Sequence, residues 1–158
     1  MNVNTRAIRQ LRDQLLSGTA AGGGDGMSSE LLGRIEPFAE TMFLVMGADD
    51  HQAEAEQQTL TAALNVLTGE ALTGAELEAL LARFRHDLEL FGREARLASI
   101  GTRLGGARDD RETAFALAAA VALADHRVDV REMRLLELVR EHFGISDRRV
   151  EAILAAMG

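Results

Sequence analysis

The sequence has no cysteine, no lysine, no tryptophan and no tyrosine, and Pro37 is its single proline. Without cysteine, neither a disulfide framework nor a thiolate metal site can form. All 17 basic residues are arginine, so a P-loop lysine and a Schiff-base lysine are both excluded. Without tryptophan or tyrosine, a site that stacks bases or sugars is not expected. These absences leave few routes to catalysis, and we expect no enzymatic activity.

Composition and charge narrow the class of protein further. A length of 158 residues with 47% hydrophobic content suits one globular domain with its own core. The net charge of −8 argues against a nucleic-acid partner and favours cations or basic surfaces. The longest apolar run, 114–124, is shorter than the roughly 20 residues that a membrane span needs. No apolar segment typical of a signal peptide follows Met1. We therefore expect a cytoplasmic protein without a transmembrane segment.

The spacing of apolar residues predicts an all-α fold. Beyond Ser29 the apolar period is close to 3.6 residues, and clusters of β-branched residues are lacking. Pro37 is predicted to break or begin the first helix. The result is a single-domain bundle of about seven helices. The predicted helices are 30–47, 53–68, 74–91, 93–104, 111–124, 130–143 and 147–157.

The first 29 residues differ from the remainder of the chain. Residues 5–16 form a short amphipathic segment, with apolar side chains on one face and arginines on the other. Residues 17–29 are rich in Gly, Ser and Ala and are typical of a flexible linker. We therefore divide the chain into an N-terminal segment with linker, 1–29, and a helical domain, 30–158. Contact of the N-terminal segment with a membrane surface is not expected.

Local start and stop signals support the helix limits. An acceptor side chain followed three residues later by Glu is the spacing of a capping box, and it occurs three times. Ser146 is a suitable N-cap for the last helix, and Gly144 is a suitable terminator of the helix before it. The three capping pairs are Thr73 with Glu76, Asp109 with Glu112, and Asp129 with Glu132.

Two stretches of the chain repeat one another. Residues 46–57 are echoed by 121–132, since in each copy a hydrophobic run ends on Asp-His and an amphipathic stretch follows. Residues 72–82 then align with 145–155. Such duplication indicates an internal pseudo-twofold repeat. The run 115–124, apolar on every side, is expected to lie in the centre of the bundle. Five residues are expected to fill the equivalent place in the first copy: Phe38, Met42, Phe43, Val45 and Met46.

Acidic residues cluster where each of the two hydrophobic runs ends. A carboxylate after a helix C-terminus is unfavourable because the helix dipole places negative charge there. A bound cation would offset this repulsion. Oxygen ligands suit calcium, magnesium or manganese, and a neighbouring imidazole extends the range to zinc. No other cofactor is expected. The predicted ligands are Asp49, Asp50, Glu54, Asp125, Asp129 and Glu132, with His51 and His126 as possible additions.

Local capping also explains the same acids. Asp129 and Glu132 can form a capping box, and Asp125 can close a turn by accepting from backbone amides. His86 and His142 are interpreted as surface or half-buried helical residues. The segment 108–111 is interpreted as a solvated face, balanced by its own aspartates. The residues alone therefore leave two hypotheses open, a divalent-cation site and a set of helix caps.

The second copy of the repeat resembles the tellurite-resistance TerB-like family. That family has a hydrophobic helix ending Ala-Asp-Gly, a Glu seven residues after the Asp, and a Gly-Leu-Ser-like start to a later helix. Residues 121–128, Glu132 and 143–146 follow this pattern, and residues 47–53 follow it more loosely. This chain has His51 and His126 where the family has Gly. Gln57 stands where the first copy should have Glu.

The resemblance covers about residues 31–157 and carries expectations of its own. It implies a pseudo-twofold helical domain whose acidic joints bind metal ions. It also implies a non-enzymatic role in stress or metalloid resistance, often within a larger assembly. The alternative function is an interaction scaffold whose acids only cap helices. Such a scaffold would bind a protein partner or a second copy of the chain.

Overall fold

The computed structural model describes residues 9, 13, 29–46, 54–68, 73–105, 108–122 and 130–157. These residues form seven α-helices and contain no β-strand, which confirms the predicted all-α domain. The observed limits agree with the predicted ones to within three residues. The helices are α1 Ser29–Met46, α2 Glu54–Thr68, α3 Gly74–Phe91, α4 Arg93–Leu104, α5 Arg108–Ala122, α6 Val130–Phe143 and α7 Asp147–Met157.

Helices α1 and α5 form the centre of the bundle and make its most extensive helix pairing. Every residue of α5 from Thr113 to Ala122 is buried, as its apolar sequence predicts. Its alanines let neighbouring helices approach closely. On α1, Phe38, Met42, Phe43 and Val45 are buried in the same core, which confirms their predicted place. The side chain of Met46 lies outside the described residues.

Pro37 lies within α1, so the prediction that it would break or begin this helix is wrong. A proline has no backbone N–H, and the carbonyl four residues earlier therefore loses its donor. That carbonyl belongs to Gly33, and it accepts a hydrogen bond from Arg103 Nη2 at 2.9 Å. An arginine from a distant helix thus replaces the missing backbone donor at this point of α1.

Two of the predicted start signals are confirmed by hydrogen bonds. Thr73 Oγ1 accepts from the Glu76 amide at 3.2 Å, and Glu76 Oε1 accepts from the Thr73 amide at 3.0 Å, which completes a capping box before α3. These bonds lower the pKa of Glu76, the Thr73 amide having the larger effect. Ser146 Oγ accepts from the Arg149 amide at 3.2 Å and caps α7.

The predicted capping pair of Asp109 and Glu112 is not formed. Helix α5 begins at Arg108, so Asp109 already lies in its first turn. Glu112 is drawn away by arginine side chains, and its oxygens accept from Arg108 and Arg149. Asp129, in the third predicted pair, lies outside the described residues.

The turn between α6 and α7 is a Schellman motif centred on Gly144. The amide of Gly144 bonds the carbonyl of Glu141 at 3.2 Å, and the amide of Ile145 bonds that of Arg140 at 3.1 Å. Gly144 has φ +65°, a conformation that glycine adopts without strain. The predicted terminator of α6 is therefore confirmed.

The internal repeat and the division into an N-terminal segment and a helical domain both stay predictions. The central helix α1 is followed by three helices and the central helix α5 by two, and the pseudo-twofold relation between the halves stays a prediction. Of the predicted N-terminal segment and linker, the structure describes residues 9, 13 and 29, and Ser29, the last residue of the predicted linker, is the first residue of α1. Residues 9 and 13 are both helical and exposed. Among the described helices, none has the length and apolar character needed to cross a bilayer.

Candidate functional site

The predicted cation ligands lie almost wholly beyond the described residues. Asp49, Asp50, His51, Asp125, His126 and Asp129 are outside them. Glu54 is the first residue of α2 and Glu132 the third of α6, but the side chains of both are outside the description. Among the described side chains, no group of three or more His, Cys, Asp or Glu residues could hold a metal ion. The cation site and its ligands therefore stay predictions.

The described helix ends nevertheless fix where the predicted acids fall in the chain. We call residues 47–53 the first acidic link and residues 123–129 the second acidic link. Each has seven residues, and each follows one of the two central helices, α1 and α5. Each is followed by a helix, α2 or α6, that begins at or just before a predicted ligand.

The first described charge cluster lies where α4 packs on α1, and we call it the α1–α4 face. At its centre Glu40, only 2% exposed, accepts hydrogen bonds from Arg96 Nε at 2.6 Å and Nη2 at 2.8 Å. This two-point contact stabilises a carboxylate that would otherwise be costly to bury. The hydrogen bond to Glu40 raises the pKa of Arg96, and the charge of Asp87, 4.0 Å away, acts in the same direction.

Further arginines complete the α1–α4 face. Arg83 and Arg103 both pair with Glu36. Arg93 Nε donates to the carbonyl of Leu44 at 3.3 Å, which belongs to the last turn of α1 and has no partner within the helix. Together with the bond from Arg103 to Gly33, these contacts supply donors to two backbone carbonyls of α1. One is the carbonyl that Pro37 leaves without a donor, and the other lies near the C-terminus of the helix. The face is therefore closed and its charges are paired.

The second cluster lines a cleft of about 150 Å³ between the start of α5, the α6–α7 turn and α7, and we call it the α5–α7 cleft. Glu112, 12% exposed, accepts from Arg108 Nε at 3.0 Å and from Arg149 Nη2 at 2.6 Å. The hydrogen bond from Arg149 lowers the pKa of Glu112, and Arg108 adds to the effect. The same bond raises the pKa of Arg149. The cleft is lined by Arg108, Arg111, Glu112, Phe143, Gly144, Ile145, Ser146 and Arg149.

Arg111 has a buried hydrogen-bond donor that faces no acceptor in the α5–α7 cleft. Its Nη1 donates to the carbonyl of Phe143 at 3.1 Å, at the C-terminus of α6. Its Nε is buried, and the structure gives that nitrogen no hydrogen-bond acceptor. A buried donor without an acceptor costs about 1–3 kcal/mol. The arrangement therefore holds a guanidinium in place while leaving its buried Nε–H without an acceptor.

The interpretation of 108–111 as a solvated face balanced by its aspartates is wrong in part. Arg108 is exposed, but Arg111 is half-buried and contacts the α6–α7 turn. The partner of Arg149 and Arg108 is Glu112. A sequence signal existed, since Arg108, Arg111 and Glu112 share one face of a helix at i, i+3 and i+4 spacing. By contrast, His86 is exposed and His142 half-buried, as predicted.

Comparison with known proteins assigns the family. No curated protein and no solved structure matches the chain. The family model described as Tellurite resistance protein TerB matches residues 38–155 of the 158. The matched residues run from α1 to α7 and so take in the bundle centre, the α5–α7 cleft and both acidic links. The chain therefore belongs to the TerB family.

Proposed function

We propose that this chain is a non-enzymatic helical module that binds a divalent cation through the acids of its two acidic links together with Glu54 and Glu132. The observation that carries the proposal is the matched placement of those links. Each has seven residues, and each separates a central helix from an amphipathic one. Each link has Asp-His just after the hydrophobic run ends. A cation would offset the repulsion between these carboxylates and the helix C-termini.

The chemistry of the donors fits a hard divalent ion. Six carboxylates and two imidazoles are available, and no thiolate exists in the chain. Carboxylate oxygens suit calcium, magnesium or manganese, whereas His51 and His126 would allow zinc. The described carboxylates at the core, Glu40 and Glu112, are already paired with arginines and are not available as ligands. The links therefore offer the acids best suited to an ion.

The proposal includes a cellular role. The family's description names tellurite resistance, and we infer that this chain acts in a resistance or stress response in the cytoplasm. Its part would be to couple ion binding to a conformation that a protein partner recognises. The paired, structural use of the described charges supports a binding module more than a catalyst.

Thermal unfolding with added ions tests the cation proposal. The full chain would be melted in chelator-treated buffer with calcium, magnesium, manganese or zinc. An ion at one hundred times its Kd stabilises the folded state by about 2.7 kcal/mol, which raises Tm by about 5–11 °C for a domain of this size. The rise should saturate with concentration.

Paired variants locate the effect. Asp125→Asn and Asp50→Asn should abolish or strongly reduce the ion-induced rise, because each removes one charged ligand. Asp109→Asn is the matched control, since it makes the same change at an exposed position in the first turn of α5. No rise at millimolar ion, or a rise that persists in both link variants, would reject the proposal.

A second candidate is a scaffold that associates with another copy of the chain. Two observations favour it. Thr73 with Glu76 shows that polar side chains at a described helix start act as caps, which is the alternative role for the link acids. Leu90 and Phe91, adjacent at the end of α3, are 62% and 60% exposed. Adjacent exposed apolar side chains of this size are typical of contact surfaces.

Light scattering after size-exclusion chromatography tests this candidate. We expect a concentration-dependent dimer that Phe91→Ser converts to monomer. Ala95→Ser, an exposed change on α4, should leave the dimer intact. A wild-type chain that stays monomeric at every concentration would exclude self-association through this surface.

A further inference from the structure

The α5–α7 cleft carries a local excess of positive charge on an acidic protein. Three arginines and one glutamate line it, which gives a formal charge of +2, whereas the whole chain carries −8. Arg108, Arg111 and Arg149 come from two helices and converge on the same small space. Guanidinium groups gathered in this way repel one another unless an anion lies between them. Glu112 supplies one such anion, and Asp109 acts on Arg149 from beyond the lining, which still leaves a net positive charge.

The cleft also has more hydrogen-bond donors than acceptors. Each guanidinium has five N–H groups. Glu112 accepts from Nε of Arg108 and from Nε and Nη2 of Arg149, and Phe143 accepts from Nη1 of Arg111. Arg111 Nε is buried without an acceptor, as described above. The buried, unpaired nitrogen is an observation separate from the charge, and it indicates that the arrangement lacks an acceptor.

We propose that the α5–α7 cleft binds a small tetrahedral oxyanion of the phosphate or sulfate class, held by Arg108, Arg111 and Arg149. The cleft volume of about 150 Å³ lies well below the 300–1,000 Å³ typical of pockets for drug-sized ligands, so a small ligand fits best. Arginine is suited to such ligands because its planar fork matches two oxygens at once. The Ser146 hydroxyl, whose oxygen already caps α7, has its hydrogen free to donate to the anion.

Glu112 sets the selectivity of this site. Its carboxylate fixes Arg108 and Arg149 in place but repels any second anion in the cleft. A ligand with two charges and several acceptor oxygens overcomes that repulsion better than chloride does. The site is distinct from the acidic links and does not depend on the proposed cation.

Calorimetric titration of the full chain with inorganic phosphate tests the proposal. Ionic strength would be held constant with sodium chloride, since exposed charges are screened by salt. We expect one saturable site with sulfate as a competitor. Arg108→Gln and Arg111→Gln should each weaken phosphate binding by at least roughly tenfold, because each removes a charged donor. Arg108 is 67% exposed, so its variant will fold even if the Arg111 variant does not.

Matched controls make the test decisive. Arg103→Gln removes the same charge from the α1–α4 face and should leave phosphate binding unchanged. Asp125→Asn should also leave it unchanged, which separates this site from the proposed cation site. Titration with phosphoserine distinguishes a free oxyanion from a phosphate group on a larger molecule. The proposal is overturned if phosphate does not bind saturably at millimolar concentration, or if Arg108→Gln and Arg103→Gln behave alike.

Discussion

The α1–α4 face and the α5–α7 cleft are built from the same residue types and differ in how completely those residues are satisfied. On the face, Glu40 is 2% exposed and receives two hydrogen bonds from one arginine. In the cleft, Glu112 is shared by two arginines while a third retains a buried donor without an acceptor. Closed pairing of this kind stabilises a fold. Arginine N–H groups without an acceptor, as in the cleft, are available to bind a ligand.

The largest expected effect on stability comes from breaking the ion pair between Arg96 and Glu40. Arg96→Met should lower the free energy of unfolding by about 3–5 kcal/mol, because Glu40 would remain buried without its partner. Urea denaturation measures the loss. The double variant Glu40→Leu with Arg96→Met should recover much of it, since no buried charge remains. A loss below about 1 kcal/mol for the single variant would mean that the face behaves as an exposed ion pair.

The corresponding change in the cleft should cost much less. Arg149→Gln is expected to lower the free energy of unfolding by about 1 kcal/mol, because Glu112 keeps its bond to Arg108 and the side chain of Arg149 is 43% exposed. The same urea experiment measures both variants. If Arg149→Gln proved as costly as Arg96→Met, the distinction between a structural face and a binding cleft would fail.

A double-mutant cycle sharpens the account of the α1–α4 face. Arg103→Gln should cost about 0.5 kcal/mol or slightly more, because the Gly33 carbonyl loses its donor. In a Pro37→Ala background the cost should nearly vanish, since the new backbone N–H at position 37 can bond Gly33. Equal costs in both backgrounds would show that Arg103 acts only through its ion pair with Glu36.

The smallest expected effect concerns how the free energy of unfolding changes as the pH falls into the acidic range. The pKa of Glu112 is held below its ordinary value of 4.5 by Arg149 and Arg108. Its contribution to stability is therefore complete above pH 4.5 and is lost as the pH falls through the lowered pKa. The difference in unfolding free energy between wild type and Glu112→Gln should shrink over that window.

A second variant controls for the cause of this pH dependence. Arg108→Gln combined with Arg149→Gln keeps the carboxylate but removes both donors. The free energy of unfolding of this variant should lose the same part of its pH dependence that Glu112→Gln loses. A wild-type profile in the double arginine variant would assign the pH dependence to other carboxylates.

Local chemistry explains which parts of the fold were predictable. Helix limits followed from apolar spacing and from caps such as Thr73 and Gly144, whose partners lie within a few residues. The effect of Pro37 was not predictable, because its remedy comes from Arg103, 66 positions further along the chain. The cleft was missed for the same reason, since Glu112 and Arg149 are 37 residues apart. The acids of the two links remain predictions from sequence.

The bond between Arg103 and the Gly33 carbonyl has a consequence for how this protein can evolve. The arginine contributes most while position 37 is proline, and the proline costs less while a side chain reaches that carbonyl. Loss of either one relaxes selection on the other. Related chains are therefore expected to keep or replace the two residues together, and a survey of their sequences would reveal this as paired substitution.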